Sequence, residues 1–135
     1  MKIEVFALCD AATDNRGKLN ILGTFDQIYA VKTPVIHPAC AIALRLRFDK
    51  IEEGRHSVKL QLVNPDGIPV FQAMEGEVNP RMGDDVGSVA VNLILNFQHV
   101  KFDEFADYQI NLSLNGMATA SLPLRVRQMP RPEAV

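Results

Sequence analysis

The chain has 135 residues, 47% of them hydrophobic, and a formal net charge of −2 at pH 7. This length fits one domain with a sizeable core, and the composition is that of an ordinary globular protein. The lack of a basic excess argues against a nucleic-acid binder, and no apolar run approaches the ~20 residues of a membrane helix.

The first element, residues 2–9, is predicted to be a strand because its apolar side chains alternate. Glu4 and Asp10 interrupt the apolar run that a signal peptide needs. Cys9 and Cys40 are the only cysteines, which is mild support for a reducing compartment. We therefore expect a cytoplasmic protein.

The next two elements are a loop over residues 10–17, rich in Asp and Asn, and a strand over residues 18–29. Gly23 interrupts this strand as a bulge. Residues 31–38 contain two prolines, each of which removes a ladder donor, so we expect a loop or an irregular edge there.

The clearest strand covers residues 39–48, where every second residue is apolar and large. Residues 54–74 then read as a β-hairpin, with alternation up to Leu62 and a turn at residues 64–67. Gly67 suits a turn position with positive φ, and the return strand is predicted to begin at Ile68.

The second half of the chain is predicted to hold three more strands, joined by one long and two short connections. An irregular stretch comes first, and the last two strands meet at Asn115-Gly116, a strong hairpin signal. The predicted segments are an irregular stretch at 75–87, a strand at 88–97, a connection at 99–107, and strands at 108–114 and 118–126.

These seven to eight strands predict an all-β fold, a two-layer antiparallel β-sandwich that is immunoglobulin-like in the broad sense; a closed barrel is the alternative. Tyr108 at the start of a strand resembles the tyrosine corner of immunoglobulin-like domains, although Ile110 stands where antibody domains carry a cysteine. We expect one domain over residues 1–128 and a proline-containing tail over residues 129–135.

Three segments carry a resemblance to a known family: LCDAATDNRGKLNILGTFDQI, HPACAIALRLRF and EEGRHSVKLQLVNPDG. Together they resemble a small bacterial protein family of unknown function, and the resemblance covers most of the chain. It implies a single β-sandwich domain and no catalytic or binding residues.

No catalytic or metal-binding pattern stands out, and we expect no cofactor. His37, His56 and His99 lack the spacing of metal ligands. Residues 10–17 are acidic but lack the alternating oxygen ligands and the closing Glu of a calcium loop, so an Asx-rich turn is favoured. Residues 84–85 indicate a solvated acidic loop in the same way.

The two cysteines fall on predicted core faces and are expected to be buried thiols. The chain contains neither a nucleophile elbow nor a phosphate-binding glycine loop. A Ser-His-Asp arrangement stays open, since its members need not be neighbours in sequence.

Two surface features are predicted. Arginines on two strands would form a basic strip if the strands were neighbours, although such side chains more often pair with acids on a wet sheet face. Surplus apolar side chains on the first strand and small residues on the fourth would form an interface for self-association. The strip is Arg45, Arg47, Arg125 and Arg127; the interface is Phe6, Leu8, Ala39, Ala41 and Ala43. Alternatively, residues 31–38 or 99–107 cover the apolar strip within one chain.

The sequence therefore predicts a non-catalytic binding or assembly module whose partner is a second copy, as a homodimer, or another protein. One alternative is a small hydrolase or carbohydrate-active domain with a site on the loops at 31–38 and 76–87. A further alternative is a structural part of a larger bacterial assembly.

Overall fold

Nine β-strands make up most of residues 1–130, the part of the chain that the computed structural model describes. The strands are β1 (Lys2–Asn15), β2 (Lys18–Thr24), β3 (Gln27–Ala30), β4 (Val35–Asp49), β5 (His56–Val63), β6 (Met74–Val78), β7 (Ser88–Phe102), β8 (Asp107–Leu114) and β9 (Met117–Gln128). They form a four-stranded sheet, β2-β1-β4-β7, and a five-stranded sheet, β3-β9-β8-β5-β6. The predicted two-layer sandwich is confirmed, with nine strands instead of seven to eight.

The core lies between the two sheets. Alternate residues of β4 are fully buried and face the five-stranded sheet, which contributes alternate residues of β5, β8 and β9. The central members are Ile42, Leu44, Leu46 and Phe48 from β4, with Val58, Leu60, Leu112, Leu124 and Val126 from the opposite sheet. A short 3-10 turn, Lys50–Glu52, carries the chain from β4 towards β5.

The first hairpin is longer than predicted. β1 continues to Asn15, so most of the predicted loop at 10–17 is strand, and the turn is only Arg16-Gly17. Both turn residues have positive φ, 54° and 82°, which is the two-residue geometry that matches the twist of an antiparallel hairpin.

A bulge at Glu4 changes which side chains of β1 face the core. The register against β4 shifts between Ile3 and Val5, so Glu4 is an extra residue in β1. Ile3 therefore packs on the core side with Phe6, whereas plain alternation puts Ile3 on the same face as Val5.

The strand predicted over residues 18–29 is two strands in different sheets. β2 pairs with β1, whereas β3 pairs with β9, and the chain crosses between the layers at Phe25 and Asp26. The β3–β9 pair is parallel, whereas the other strand pairs of the described part are antiparallel as predicted.

Two further strands begin earlier or later than predicted. β4 begins at Val35, inside the predicted loop at 31–38. The turn at 64–67 is confirmed, because the Gly67 amide donates to the Asn64 carbonyl at 2.9 Å and Gly67 has a φ of 78°. The return strand β6 does not begin until Met74 and lies mostly within the stretch predicted to be irregular.

β7 is also longer than predicted. It runs to Phe102, so the predicted connection at 99–107 shrinks to residues 103–106. The tyrosine corner is present: the Tyr108 hydroxyl donates to the Glu104 carbonyl at 2.8 Å.

No helix among residues 1–130 has the length and apolarity to cross a membrane. Of the predicted tail at 129–135, residues 131–135 lie outside the described part.

Candidate functional site

The five residues predicted to form an interface do not share one exposed surface. Phe6 and Leu8 face the core, and Leu8 is only 5% exposed. Ala41 and Ala43 lie on the outer face of the four-stranded sheet but are 1% and 0% exposed. Only Ala39 of the five is exposed. This set is therefore unavailable as a docking surface in the folded chain.

The β1–β2 hairpin covers the alanine strip from outside. Cys9, Ala41 and Ala43 form a second, small apolar cluster, and Ala12 and Leu19 of the hairpin pack against it. Internal cover, one of the two alternatives left by the sequence, is thus supplied by residues 10–24 and not by 31–38 or 99–107.

Polar contacts fix the tip of this hairpin to the sheet. The Asn92 amide nitrogen donates to an Asp14 carboxylate oxygen at 3.0 Å and to the Gly17 carbonyl at 3.2 Å. Arg45 donates to the same carbonyl at 3.1 Å. Hydrogen bonds from the Gly17 amide and from Asn92 lower the pKa of the Asp14 carboxyl. The ionised form of Asp14 is therefore the one that the tip stabilises.

The four arginines of the predicted basic strip lie in two different sheets. Arg45 and Arg47 are on β4, and both bind the Glu4 carboxylate, at 3.0 and 2.7 Å. Arg125 and Arg127 are on β9 of the other sheet, where Arg127 pairs with an aspartate of β8. The structure brings together two pairs of arginines and no continuous strip.

Two kinds of reactive group can be assessed in the described part, metal-ligand clusters and thiols. No group of three His, Cys, Asp or Glu side chains among residues 1–130 is placed to hold a metal ion. Cys9 and Cys40 are free thiols, and burial raises the pKa of both, that of Cys40 to about 11. Both thiols are therefore protonated at neutral pH and poor nucleophiles.

The cavity between the sheets is small and apolar. It has a volume of about 20 Å³ and is lined by core side chains that include His37 and Cys40. A water molecule needs roughly 10–15 Å³ by this measure, so the cavity holds about one water and no substrate.

The two loops proposed for a hydrolase site are far apart. The loop before β4 lies beside Phe102 at one end of the sandwich, since Val35 pairs with that residue. The loop before β7 lies at the other end, where the Lys50 amide donates to the Gly87 carbonyl. The 15 residues of β4 separate them, roughly 45 Å at ~3.3 Å per residue.

The outer edge of β7, the last strand of the four-stranded sheet, is the candidate site. β7 has 15 residues and pairs with β4 along its whole length, whereas its other edge pairs with no strand in residues 1–130. Its core-facing side chains are only half-buried: Val89, Val91, Leu93, Leu95 and Phe97.

The ladder geometry shows which main-chain groups are free. The Lys50 amide bonds the Gly87 carbonyl, and hydrogen-bonded pairs alternate along an antiparallel ladder. The odd-numbered residues from Val89 to Leu95 therefore bond to β4. The even-numbered residues, Ala90, Asn92, Ile94 and Asn96, turn their N–H and C=O groups to the free edge.

The other edges of the sandwich carry the features that discourage strand pairing. β3 and β6 have only four and five residues, and β6 contains Glu75 and Glu77. β2 has seven residues with Lys18 and Gly23, and the free part of β9 contains Pro123. β7 is the longest edge strand of the described part, and it has no proline or glycine and one charged residue, Lys101. An edge of this kind is a template for another strand.

The sequence predicted this strand but not its position at the edge of a sheet. The available signal was the run from Val86 to Val100, which contains no Asp, Glu, Lys or Arg. A run without charges bears on strand pairing only if the strand lies at the edge of a sheet. The local sequence pattern does not indicate which strands lie at an edge.

Comparison with known proteins identifies the family without assigning an activity. No curated protein matches the chain. The model of a family of unknown function, DUF6941, matches residues 4–127, which include parts or all of the nine strands. Membership of a family of unknown function, predicted from the three sequence segments, is thus confirmed: the chain belongs to DUF6941.

Proposed function

We propose that the protein is a non-catalytic binding and assembly module that takes up an extended β-strand at the free edge of β7. The observation that carries the proposal is the row of free main-chain groups on Ala90, Asn92, Ile94 and Asn96 in a long, nearly uncharged edge strand. An added strand satisfies such groups by continuing the ladder, which is an established mode of peptide recognition.

The half-buried side chains of β7 support the same reading. Val91, Leu93 and Leu95 face the core layer but keep part of their apolar surface exposed. A strand laid beside β7 would remove this surface from water, which is favourable in proportion to its area. The partner is therefore a protein segment with few charges, and neither a nucleic acid nor a membrane.

The proposal includes a bacterial, cytoplasmic setting. The free thiols Cys9 and Cys40 suit a reducing compartment, and the resemblance of the sequence is to a bacterial family.

Amide hydrogen exchange followed by NMR tests the proposal. The probe is a capped peptide of alternating threonine and valine, which has high strand propensity and does not copy this chain. We expect the peptide to slow exchange at Ala90, Asn92 and Ile94. The amides of Val91 and Leu93 already bond to β4 and serve as internal controls.

The matched variant is Ala90→Pro, which removes one outward N–H and no bond to β4. It should weaken peptide binding while the unfolding transition stays cooperative. The comparison is made on protein diluted until light scattering shows a monomer, so that no second copy occupies the edge. Unchanged exchange at the even-numbered amides of β7 under excess peptide would then contradict the proposed function.

A further inference from the structure

We propose that the strand occupying this edge is β7 of a second copy, paired antiparallel about a two-fold axis at Leu93. The inference rests on the proposed function and names its partner. The two four-stranded sheets would join into one continuous eight-stranded sheet, in the order β2-β1-β4-β7-β7-β4-β1-β2. A two-fold homodimer is also the commonest closed assembly of soluble proteins.

The charge distribution of β7 suits pairing with itself. An incoming strand with acidic or basic residues finds no opposite charge along residues 88–98, because this stretch has none. A second β7 brings the same uncharged stretch, and Lys101 lies beyond it. Antiparallel self-pairing about Leu93 therefore places no like charges opposite each other.

The core-side pattern selects the register. With the axis at Leu93, Val91 lies opposite Leu95 of the partner subunit, and the other core-side pairs are also apolar. Val89 meets Phe97 of the partner subunit, and Leu93 meets Leu93 of the partner subunit. Moving the axis to Ile94 would place Val89 opposite His99 of the partner subunit. Moving it to Asn92 would place Phe97 opposite Gly87 of the partner subunit, so either shift loses an apolar pair. Apolar cross-strand pairs are the unit of sheet stabilisation.

The outward main-chain groups agree with the same register. Ala90 would exchange hydrogen bonds with Asn96 of the partner subunit, and Asn92 with Ile94 of the partner subunit. All four residues turn their N–H and C=O groups to the edge. Each such bond adds little net free energy and association is costly, so we expect a dissociation constant of about 10–100 µM.

Disulfide trapping tests the register. In a Cys9→Ala, Cys40→Ala background, Leu93→Cys should cross-link the full-length chain on oxidation. Paired Cα atoms at a non-hydrogen-bonded position are ~4.5 Å apart, within the ~4.4–6.8 Å span of a disulfide. Leu95→Cys is the matched control, because its two copies would lie ~13 Å apart along the strands. A mixture of Val91→Cys and Leu95→Cys should form the mixed cross-link.

Light scattering on a size-exclusion column tests the self-pairing. The mass should rise from 15.0 kDa towards twice that value as the loading concentration increases. Ala90→Glu with Asn96→Glu places like charges opposite each other and should leave the chain monomeric. Ala90→Glu with Asn96→Lys places opposite charges there and should keep the dimer, with circular dichroism confirming that both variants fold.

The outcomes separate the two proposals. A constant mass of 15.0 kDa up to millimolar concentration overturns self-pairing, and peptide protection of β7 in the same protein leaves the proposed function standing. A dimer that resists the two-glutamate variant, or that cross-links through Leu95→Cys alone, overturns the β7 register. Monomer without peptide protection removes both proposals.

Discussion

Glu4 shows how one residue can serve both the geometry and the electrostatics of this fold. As the extra residue of the β1 bulge, it points outward between Arg45 and Arg47 of the neighbouring strand. The hydrogen bond and charge of Arg47, followed by those of Arg45, lower the pKa of the Glu4 carboxyl from its ordinary 4.5. The ion pairs are solvent-exposed, so their contribution to stability is modest and depends on salt.

The first prediction at this scale concerns pH. Because the folded-state pKa of Glu4 is lowered, its contribution is fully present above about pH 4.5 and is lost as the pH falls through the folded-state value. Between pH 6 and pH 3, the free energy of unfolding of the Glu4→Gln variant should therefore fall by less than that of the natural chain. Urea denaturation at each pH measures both values. Parallel pH dependence of the two proteins would show that the Glu4 pairs do not form in solution.

At the scale of elements, the hairpin turn between β5 and β6 offers a clean test of conformational strain. Gly67 has a φ of 78°, and nothing lies within 4 Å of where its Cβ would be. Gly67→Val should therefore lower the free energy of unfolding by about 1–2 kcal/mol through backbone strain alone.

Gly76 in β6 is the matched control for this substitution. It too has open space around a Cβ, but it lies in a strand and lacks the positive φ of Gly67. Gly76→Val should be close to neutral or stabilising, because valine favours strands. Equal losses at the two positions would mean that the turn strain is not the cause.

The elements that sequence could predict are those whose signal is local. Alternation indicated the centres of β4 and β7, and the chemistry of Asn64 to Gly67 indicated its turn. The division at Phe25 was not predicted, because the alternation of Leu19, Ile21 and Phe25 runs up to the crossing point. The two strands on either side of it separate by pairing in different sheets. The bulge at Glu4 likewise depends on its arginine partners across the strand pair.

The candidate site was harder to predict from the sequence, because it too depends on how distant strands are arranged. Residues 6–8 and 39–43 were expected to have surplus apolar surface, and they do have it, but the β1–β2 hairpin and the second sheet cover it. Whether a strand ends a sheet depends on the order of all the strands. The strand order places β7 at an edge, and only then does its uncharged run indicate a surface for strand pairing.

For the molecule as a whole, the main support for assembly is a difference between its sheet edges: β7 lacks most of the features that discourage strand pairing, and the other edges have them. A free edge strand invites unwanted pairing, and proteins limit it with short strands, charges, prolines and bulges. The described sandwich has these features along β2, β6, β9 and the start of β1. Residues 88–98 of β7 have no charge, proline or glycine, and the strand is 15 residues long, which supports the proposal that pairing there has a use.

The prediction at this scale is a melting temperature that depends on protein concentration. A partner that binds the folded chain and not the unfolded chain stabilises it by mass action, and here the partner is the protein itself. The melting temperature of the natural chain should therefore rise by a few degrees as concentration increases from well below to well above the dissociation constant. The Ala90→Glu, Asn96→Glu variant should melt at one temperature throughout, because its like charges prevent pairing at β7.

Calorimetric scans of both proteins across that range, each checked for reversibility, provide the measurement. A rise of equal size in both proteins would locate the association somewhere other than β7, and no rise in either would count against association of the folded chain.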